Sequence, residues 1–266
     1  MPPAPPLSAA EALVLLDPGG AQGREALKLT LMTLILQGYV RIVPSPPSWF
    51  GGRRPPNLVA AGRDEAGLPP PAAAAMRFVR EASGRQGRLQ EVVRLARLDH
   101  GAGLKGFVRD LVRPALMRRG LLEPTRERVL FVPVERHRPT PAGEAERRRL
   151  ADLMARAADI PTWLDRDPAQ AAALAVALGG AILLVPALRP HLDQIAGMLR
   201  MQRDAGGDGG SGGTGDEAAC RDGDLAGFDA ALSDAFDGLD AFESGFDGAA
   251  DGGRGDGGGD GGGGGD

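Results

Sequence analysis

Arginine supplies almost all of the positive charge in this sequence, since Lys28 and Lys105 are its only lysines. The planar guanidinium group donates a fork of hydrogen bonds that suits phosphate and carboxylate groups. Arginines crowd three places: Arg53 and Arg54; Arg77, Arg80, Arg85, Arg88, Arg94 and Arg97; and Arg109, Arg113, Arg118 and Arg119. Each cluster alone is typical of a solvated face, and a GC-rich genome also favours arginine. Together they could form a surface for polyanions: phospholipid headgroups, nucleic acid or the chain's own acidic tail.

Two aromatic residues precede the first arginine pair in a proline-flanked loop. In the run Trp49-Phe50-Gly51-Gly52-Arg53-Arg54, exposed rings beside cations suit contact with a membrane interface. Alternatively, the loop folds back onto the core and Trp49 covers apolar surface. We predict a membrane-contacting loop formed by Trp49, Phe50, Arg53 and Arg54, with the folded-back loop as its alternative.

Patterns for catalysis or metal binding are sparse. His100, His137 and His191 are far apart and lack partners at the spacing of a metal site, and Cys220 is the only cysteine. Asp99 beside His100 resembles a dyad, but such neighbours in a glycine turn more often cap a helix. The glycine-rich run 204–216 has no lysine and no flanking strand or helix, so it is typical of a linker rather than a phosphate loop. The prediction is a non-enzymatic protein without a metal or other cofactor.

Charge divides the chain into two parts. The net charge of −4 is the balance of about +10 over residues 1–203 and −14 over residues 204–266, and 23 of the 41 glycines lie in the second part. We therefore predict a basic, compact domain over residues 1–203 and a disordered, acidic Gly/Asp-rich tail over 204–266. The N-terminus lacks the features of a signal peptide, and one cysteine allows no internal disulfide, so we expect a cytoplasmic protein.

The elements that must position the arginines are mostly helical. Ser8 and Glu11 form a capping-box pattern for a first helix, and leucines at helical spacing predict a second over Arg24–Gln37, ended by Gly38. Further helices are predicted at 72–81, 89–98, 106–119, 144–158 and 190–201, with a turn at 99–103. Two short β-hairpins are predicted, one with strands 39–43 and 57–60 and the other with 121–122 and 129–134. The fold class is thus mostly α with two hairpins.

The uncharged run from Ala171 to Leu188 has two interpretations. It is nearly long enough for a transmembrane helix, which needs about 20 apolar residues. However, Gly179 and Gly180 lie in its middle, Pro186 lies near its end, and no strongly basic loop flanks one side only. A buried core helix is the favoured interpretation and a membrane span its alternative.

A helix, a glycine and an aliphatic hairpin follow one another twice, at 34–43 and at 115–134. Winged-helix modules end in this way, so a tandem winged-helix protein binding DNA or another protein is an alternative. Its recognition helix would be Arg24–Gln37 or Gly106–Arg119. Against it, the run LKLTLMTLILQ is apolar on too many sides for a helix that contacts bases.

The acidic tail contains a pattern of its own. Large apolar residues recur every three or four positions among aspartates, at Leu225, Phe228, Leu232, Phe236, Leu239, Phe242 and Phe246. This spacing is typical of an amphipathic helix over 222–246, weakened by Gly238 and Gly245. The segment is therefore a linker, a helix that folds onto a protein partner, or one that folds back onto the basic domain as a tethered competitor for its anionic ligand.

The order of motifs resembles that of the Golgi phosphoprotein 3 (GPP34) family. The family's opening L-x-x-E-x-L-x-L-L corresponds to LSAAEALVLL, its aliphatic helix to LILQGYVRI, and its basic helix and hairpin to FVRDLVRPALMRRGLL and VLFVPVERHRPT. EAERRRLADLMARA and the final Ala/Leu-rich run also match in order. The resemblance covers residues 7–200.

The resemblance implies a mostly helical domain that binds phosphatidylinositol 4-phosphate through basic residues and inserts a hydrophobic hairpin into the membrane. Arg109 matches the first arginine of the basic helix; the second falls on Leu111, with Arg113 as its neighbour. The arginine that begins the aliphatic helix falls near Leu27, where Arg24 and Lys28 lie. The expected headgroup-binding residues are thus Arg109, Arg113, Arg24 and Lys28, and the expected partners are an anionic membrane surface and, through the tail, a protein.

Overall fold

The computed structural model describes residues 6–43, 56–84, 87–129, 132–198 and 228–237. The fold is mostly helical with two small antiparallel hairpins, as the sequence predicted. The α-helices are α1 (Ala9–Leu16), α2 (Gly23–Leu36), α3 (Pro70–Ser83), α4 (Leu89–His100), α5 (Lys105–Phe107), α6 (Arg113–Arg118), α7 (Pro141–Ala157), α8 (Ile160–Arg166) and α9 (Pro168–Leu178). Two further helices cover 192–198 and 228–237, and the second is called the tail helix below. The strands are β1 (Val40–Val43), β2 (Asn57–Ala60), β3 (Leu122–Val129) and β4 (Val132–Pro139).

Helix α2 is the centre of the domain. It is buried along most of its length and packs against α1, α3, α5 and the 3₁₀ turn Gly179–Leu184. Its two buried threonines need internal partners: Thr30 Oγ1 donates to the Ala26 carbonyl and Thr33 Oγ1 to the Leu29 carbonyl, both at 2.7 Å. A helix buried in this way cannot offer a polar face to a DNA groove, so α2 is not a recognition helix.

The capping box at the start of α1 is confirmed. The Ser8 hydroxyl accepts from the Glu11 N–H at 3.3 Å, and the Glu11 carboxylate accepts from the Ser8 N–H at 2.9 Å. Both donors would otherwise be orphaned at the helix end. Because α1 packs against α2, α6 and α7, this cap fixes where the chain enters the core.

Gly38 ends α2 as predicted. Its φ of +73° is a left-handed conformation that glycine adopts without a steric penalty. The chain then enters β1, which pairs antiparallel with β2 from Val40 opposite Ala60 to Val43 opposite Asn57. The returning strand expected at Asn57–Ala60 is therefore confirmed.

The second hairpin is longer than the alternating pattern indicates. Strands β3 and β4 pair from Leu122 opposite Pro139 to Val129 opposite Val132. Residues 123–128, between the predicted strands 121–122 and 129–134, do not alternate with apolar residues, so the pattern predicts a loop there. Backbone pairing extends through them nevertheless, since an exposed ribbon needs no apolar face.

The helix predicted at 106–119 contains a wide turn. Between α5 and α6, residues Val108–Val112 form a π-helix, in which the Arg113 N–H bonds to the Val108 carbonyl five residues back. Pro114 follows directly and has no N–H to continue a regular ladder. The turn therefore determines how Arg109 and Arg113 project from this segment.

The apolar run from Ala171 to Leu188 is mostly buried, which agrees with the core interpretation, although Val176 is 54% exposed and the run is not one helix. Helix α9 ends at Gly179, whose φ is +53°, and 3₁₀ turns follow over Gly179–Leu184 and Pro186–His191. A Cβ on Gly180 would lie 2.5 Å from the Ala9 nitrogen, so only glycine lets this turn approach α1. Among the described residues no single helix is long and apolar enough for a span, although Pro168–Leu184 and Pro186–Met198, bent by 114°, together satisfy length and composition.

Candidate anion-binding site

Four basic side chains from distant parts of the sequence contact the tail helix. They are Arg24 and Lys28 of α2, Arg97 of α4 and Arg189 of the turn Pro186–His191. We call them the cation cluster. Helix α2 places Arg24 and Lys28 on one face because residues four apart are neighbours on a helix. The other two are brought there by tertiary packing.

Lys28 is a largely enclosed member of the cluster and pairs with two carboxylates. Its side chain is 12% exposed, and its Nζ lies 2.5 Å from Asp229 Oδ1 of the tail helix. Glu25 Oε2 lies 3.7 Å from the same nitrogen, one helical turn away. Arg189 approaches the second oxygen of Asp229 at 3.9 Å. The Asp229 carboxylate is thus held between two cations, as an anionic ligand would be.

The other end of the tail helix is held by Arg97 and Arg24. Arg97 is 6% exposed and donates from Nη2 to the Phe236 carbonyl at 3.2 Å. The guanidinium carbon of Arg24 lies 6.0 Å from the centre of the Phe236 ring, at the outer limit of a cation–π contact.

A small cavity of about 170 Å³ lies at the seam between the tail helix and the domain. It is lined by Glu25, Lys28, Leu29, Met32, Leu183, Arg189, Leu192 and Asp229. The lining combines charged side chains with aliphatic ones. Space therefore remains next to the carboxylate that the two cations hold.

Arg109 and Arg113 have different partners. Arg109 forms a bidentate pair with its neighbour Asp110, at 2.6 and 2.9 Å, and its side chain is 71% exposed. This hydrogen bonding raises the pKa of Arg109 and lowers the pKa of Asp110. Arg113 is half-buried and donates to the Pro18 carbonyl at 3.1 Å, in the connection between α1 and α2. The structure thus joins Arg24 and Lys28 through the tail helix, whereas Arg109 pairs with its sequence neighbour and Arg113 with the connection between α1 and α2.

Most of the remaining arginines pair with nearby acids. Arg77 pairs with Asp99, Arg80 with Glu65, Arg94 with Glu91 at 2.7 Å, and Arg119 with Glu11 at 3.6 Å. The pairs of Arg77, Arg80 and Arg94 fit the interpretation of solvated, internally compensated faces. The Arg119–Glu11 pair is largely enclosed and Arg97 is buried, so a solvated face is the wrong interpretation for these two arginines.

Asp99 and His100 form the last turn of α4 rather than the predicted loop, and Gly101 ends the helix with a φ of +81°. The His100 ring lies edge-on between Phe78 and Phe107, with centroid distances of 5.9 and 5.5 Å. Burial lowers its pKa, despite the opposing charges of Asp99 and Asp110. Asp99 instead pairs with Arg77, so the two residues do not act as a dyad.

A second cavity, of about 790 Å³, is lined by residues of α1, α2, α3, α6 and α9. Its polar wall includes Ser8 and Glu11, which cap α1, and Thr30 and Thr33, which bond to their own helix. Arg118 and Arg119 also line this cavity, and Arg119 Nη1 lies 3.6 Å from Glu11 Oε2. The cation cluster is the candidate site because its four basic side chains converge on one helix of the acidic tail.

The predicted membrane-contacting loop of Trp49, Phe50, Arg53 and Arg54 lies outside the described residues, as does Arg85. Of the predicted amphipathic segment 222–246, the described part is 228–237. Sequence reasoning missed the contribution of Arg189, which directly follows the uncharged run. The sequence feature that could have pointed to Arg189 is a positive charge at the edge of an apolar segment.

The family model of Golgi phosphoprotein 3 (GPP34) matches residues 30–208 of the chain. Arg97, Arg109, Arg113 and Arg189 lie inside the matched region, whereas Arg24, Lys28 and the tail helix lie outside it. No curated protein matches the chain.

Proposed function

Because the chain belongs to the Golgi phosphoprotein 3 (GPP34) family, we propose that it is a non-enzymatic peripheral membrane or adaptor protein that binds anionic phospholipid headgroups through basic residues. Proteins of this family are Golgi-associated peripheral adaptors that bind membrane lipids and protein partners. The proposed ligand class is a phosphoinositide-like headgroup, with phosphatidylinositol 4-phosphate as its first candidate. The proposed location is the cytoplasm, with reversible attachment to a membrane surface.

The observation that carries this proposal is the pair of cations around one carboxylate. Lys28 and Arg189 approach the two oxygens of Asp229 at 2.5 and 3.9 Å. A headgroup phosphate presents the same kind of anionic oxygens and forms equally strong charge-assisted hydrogen bonds. Lys28 is largely enclosed, so an anion there meets a cation that is poorly screened by solvent.

Arg109 and Arg113 complete the proposed headgroup contacts. Arg109 is exposed and already binds a carboxylate through two nitrogens, which is the geometry with which arginine also binds phosphate. A phosphate would compete with Asp110 for that fork. Arg113 borders the connection that leads into α2, the helix that carries Arg24 and Lys28.

Membrane contact is proposed for the loop of Trp49, Phe50, Arg53 and Arg54 and for the β3–β4 hairpin. The sequence joining the two strands is Val129-Leu130-Phe131-Val132, an apolar run at the end of an otherwise charged ribbon. Apolar side chains that enter a lipid interface gain about 25 cal/mol for each Å² removed from water. Both segments supply apolar side chains whose burial in the lipid adds to the binding free energy of the headgroup contacts.

Co-sedimentation of the full-length protein with vesicles tests the proposal. We expect binding to phosphatidylcholine vesicles containing phosphatidylinositol 4-phosphate, and little binding to phosphatidylcholine alone. Added salt should weaken binding, since the attraction is electrostatic. The net charge of −4 opposes nonspecific attraction to these vesicles. Binding must therefore come from local groups of basic residues.

The double variant Lys28→Gln/Arg189→Gln should lose most of that preference. Arg147→Gln/Arg148→Gln is the matched control, because it removes two charges from α7, which supplies none of the proposed contacts. Equal binding to neutral and anionic vesicles, or equal losses in the two variants, would refute the proposal.

A further inference from the structure

The tail helix packs on the domain through one apolar face. Phe228, Leu232, Ala235 and Phe236 are each less than 5% exposed, while Ala230, Asp234 and Asp237 face solvent. Burial of two phenylalanines and a leucine removes apolar surface from water, which opposes the entropy cost of ordering the helix. The contact is thus a docked amphipathic helix with a defined inner face.

The inner face brings an anion to the cation cluster. Asp229 directly follows the buried Phe228, so docking of the ring places the carboxylate on Lys28 and Arg189. At the other end, docking of Phe236 places its carbonyl on Arg97. Apolar anchors and anionic groups therefore engage the same surface together.

We infer that the tail helix is a built-in competitor: it occupies the cation cluster and must leave before an anionic lipid headgroup binds there. This inference rests on the proposed function for the identity of the displaced ligand. The docking itself rests only on the contacts of Asp229 and Phe236 and on the burial of the helix face.

Covalent linkage makes even a weak contact effective. The helix is joined to the domain through the 29 residues 199–227, so it never leaves the neighbourhood of its docking surface. Intramolecular partners linked in this way meet at effective concentrations of about millimolar. The affinity for an external ligand falls in proportion to the fraction of molecules in which the surface is open. A helix docked in about nine molecules of ten thus weakens lipid binding by about tenfold.

Lys28 has a second carboxylate partner besides Asp229. Glu25 also pairs with Lys28 and remains beside it when the tail helix departs. Arg189 is 57% exposed and can follow an incoming ligand. Displacement therefore exchanges one carboxylate for a phosphate group, rather than creating a cation site from nothing.

The test compares two full-length variants with the same added charge. Leu232→Asp places a carboxylate on the buried face and should undock the tail helix. Ala230→Asp places it on the exposed face and should not. Hydrogen–deuterium exchange over 228–237 measures docking without lipid. Co-sedimentation with phosphatidylcholine vesicles containing phosphatidylinositol 4-phosphate measures binding.

We expect Leu232→Asp to lose amide protection over 228–237 and to bind the anionic vesicles about tenfold more tightly. This gain runs against its extra negative charge. Ala230→Asp should keep the protection and show no gain. Phe236→Asp, which also buries a charge, should behave like Leu232→Asp. Inorganic phosphate without vesicles should leave the protection of the wild-type helix intact.

Several results would overturn the inference. If 228–237 is unprotected in the wild type, or if Leu232→Asp and Phe236→Asp both stay protected, the helix does not dock through this face. If Leu232→Asp undocks the helix but binds vesicles no more tightly than Ala230→Asp, while the wild type binds, the helix is not a competitor and the proposed function stands. If no form binds anionic vesicles, both fail. Loss of protection with phosphate alone would assign the surface to a soluble phosphate ligand.

Discussion

Arg97 donates a hydrogen bond to the backbone carbonyl of Phe236 at 3.2 Å, although 139 positions of sequence separate them. The arginine is buried in α4, whereas the carbonyl belongs to the acidic, glycine-rich tail. A buried guanidinium needs acceptors, and part of that need is met from a segment whose composition is that of a linker. The basic domain and its acidic tail are thereby connected at a specific point.

Phe236→Ala should undock the tail helix while the domain stays folded. The ring is 4% exposed, and removing a buried phenylalanine costs about 3–5 kcal/mol when the site cannot collapse. The tail helix lies after the domain in the chain, so we expect local loss of amide protection over 228–237 and a nearly unchanged melting temperature. Asp237→Ala, at the exposed neighbouring position, is the control. Unchanged protection in Phe236→Ala would contradict the docked arrangement.

Asp229→Asn should weaken docking by a smaller amount. The pair with Lys28 is enclosed on the lysine side and partly open on the aspartate side, so its loss should cost about 1 kcal/mol. That corresponds to roughly fivefold faster amide exchange over 228–237. Added salt should diminish the difference. Asp234→Asn, exposed on the same helix, should change exchange little; equal effects of the two substitutions would argue against the Lys28 pair.

His100 should make the stability of the domain depend on pH. Burial between Phe78 and Phe107 lowers its pKa below the ordinary value of 6.5. Below pH 6.5 the unfolded chain takes up a proton that the folded protein does not. The free energy of unfolding therefore decreases as the pH is lowered from 6.5 to the folded-state pKa of His100. Desolvation is the largest influence on this pKa; the carboxylates of Asp99 and Asp110 oppose it, whereas the guanidinium groups of Arg77 and Arg109 act in the same direction.

Chemical denaturation between pH 5 and 7.5 measures this effect. His100→Leu should remove part of the slope, because leucine does not titrate. An NMR titration of the folded protein should place the His100 midpoint below the ordinary value of 6.5. A midpoint at or above that value would show that the neighbouring carboxylates dominate instead.

Gly23→Ala should destabilise the junction between α2 and α5. A Cβ at Gly23 would lie 1.9 Å from the Leu104 carbonyl oxygen, and a backbone atom cannot yield as a flexible side chain does. Overpacking of this kind costs about 1–3 kcal/mol. Gly19→Ala in the preceding connection is the control, since a Cβ on Gly19 would meet nothing within 4 Å; its change should stay within about 0.5 kcal/mol. Equal unfolding midpoints for both variants would contradict the close approach.

Arg109→Gln should reduce binding to anionic vesicles without lowering the melting temperature. The side chain is 71% exposed and its partner is the adjacent residue, so the fold does not depend on it. Arg148→Gln removes an equal charge from α7 and should leave vesicle binding near the wild-type level. A fall in melting temperature for Arg109→Gln would assign the residue a structural role instead.

Local signals in the sequence predicted most of the helices and both hairpins. The capping box of Ser8 and Glu11, the left-handed Gly38 and the strand Asn57–Ala60 depend on neighbours a few positions away, and they appear where expected. The break of the apolar run at Gly179 was missed because its cause is distant: the turn must pass close to Ala9 in α1. Hydrophobicity alone does not distinguish a continuous buried helix from one that bends between its partners.

The separation of positive and negative charge, the arginine-rich helices and the apolar spacing of residues 228–236 follow from the sequence alone, because each is a property of composition or of periodicity along one segment. Which opposite charges meet depends instead on how distant elements pack. Lys28, Arg97 and Arg189 come from three separate elements, and no local rule predicts that they share one helix of the tail. Tertiary packing brings these three elements to the tail helix, where burial of Phe228 and Phe236 places Asp229 at Lys28 and Arg189 and the Phe236 carbonyl at Arg97.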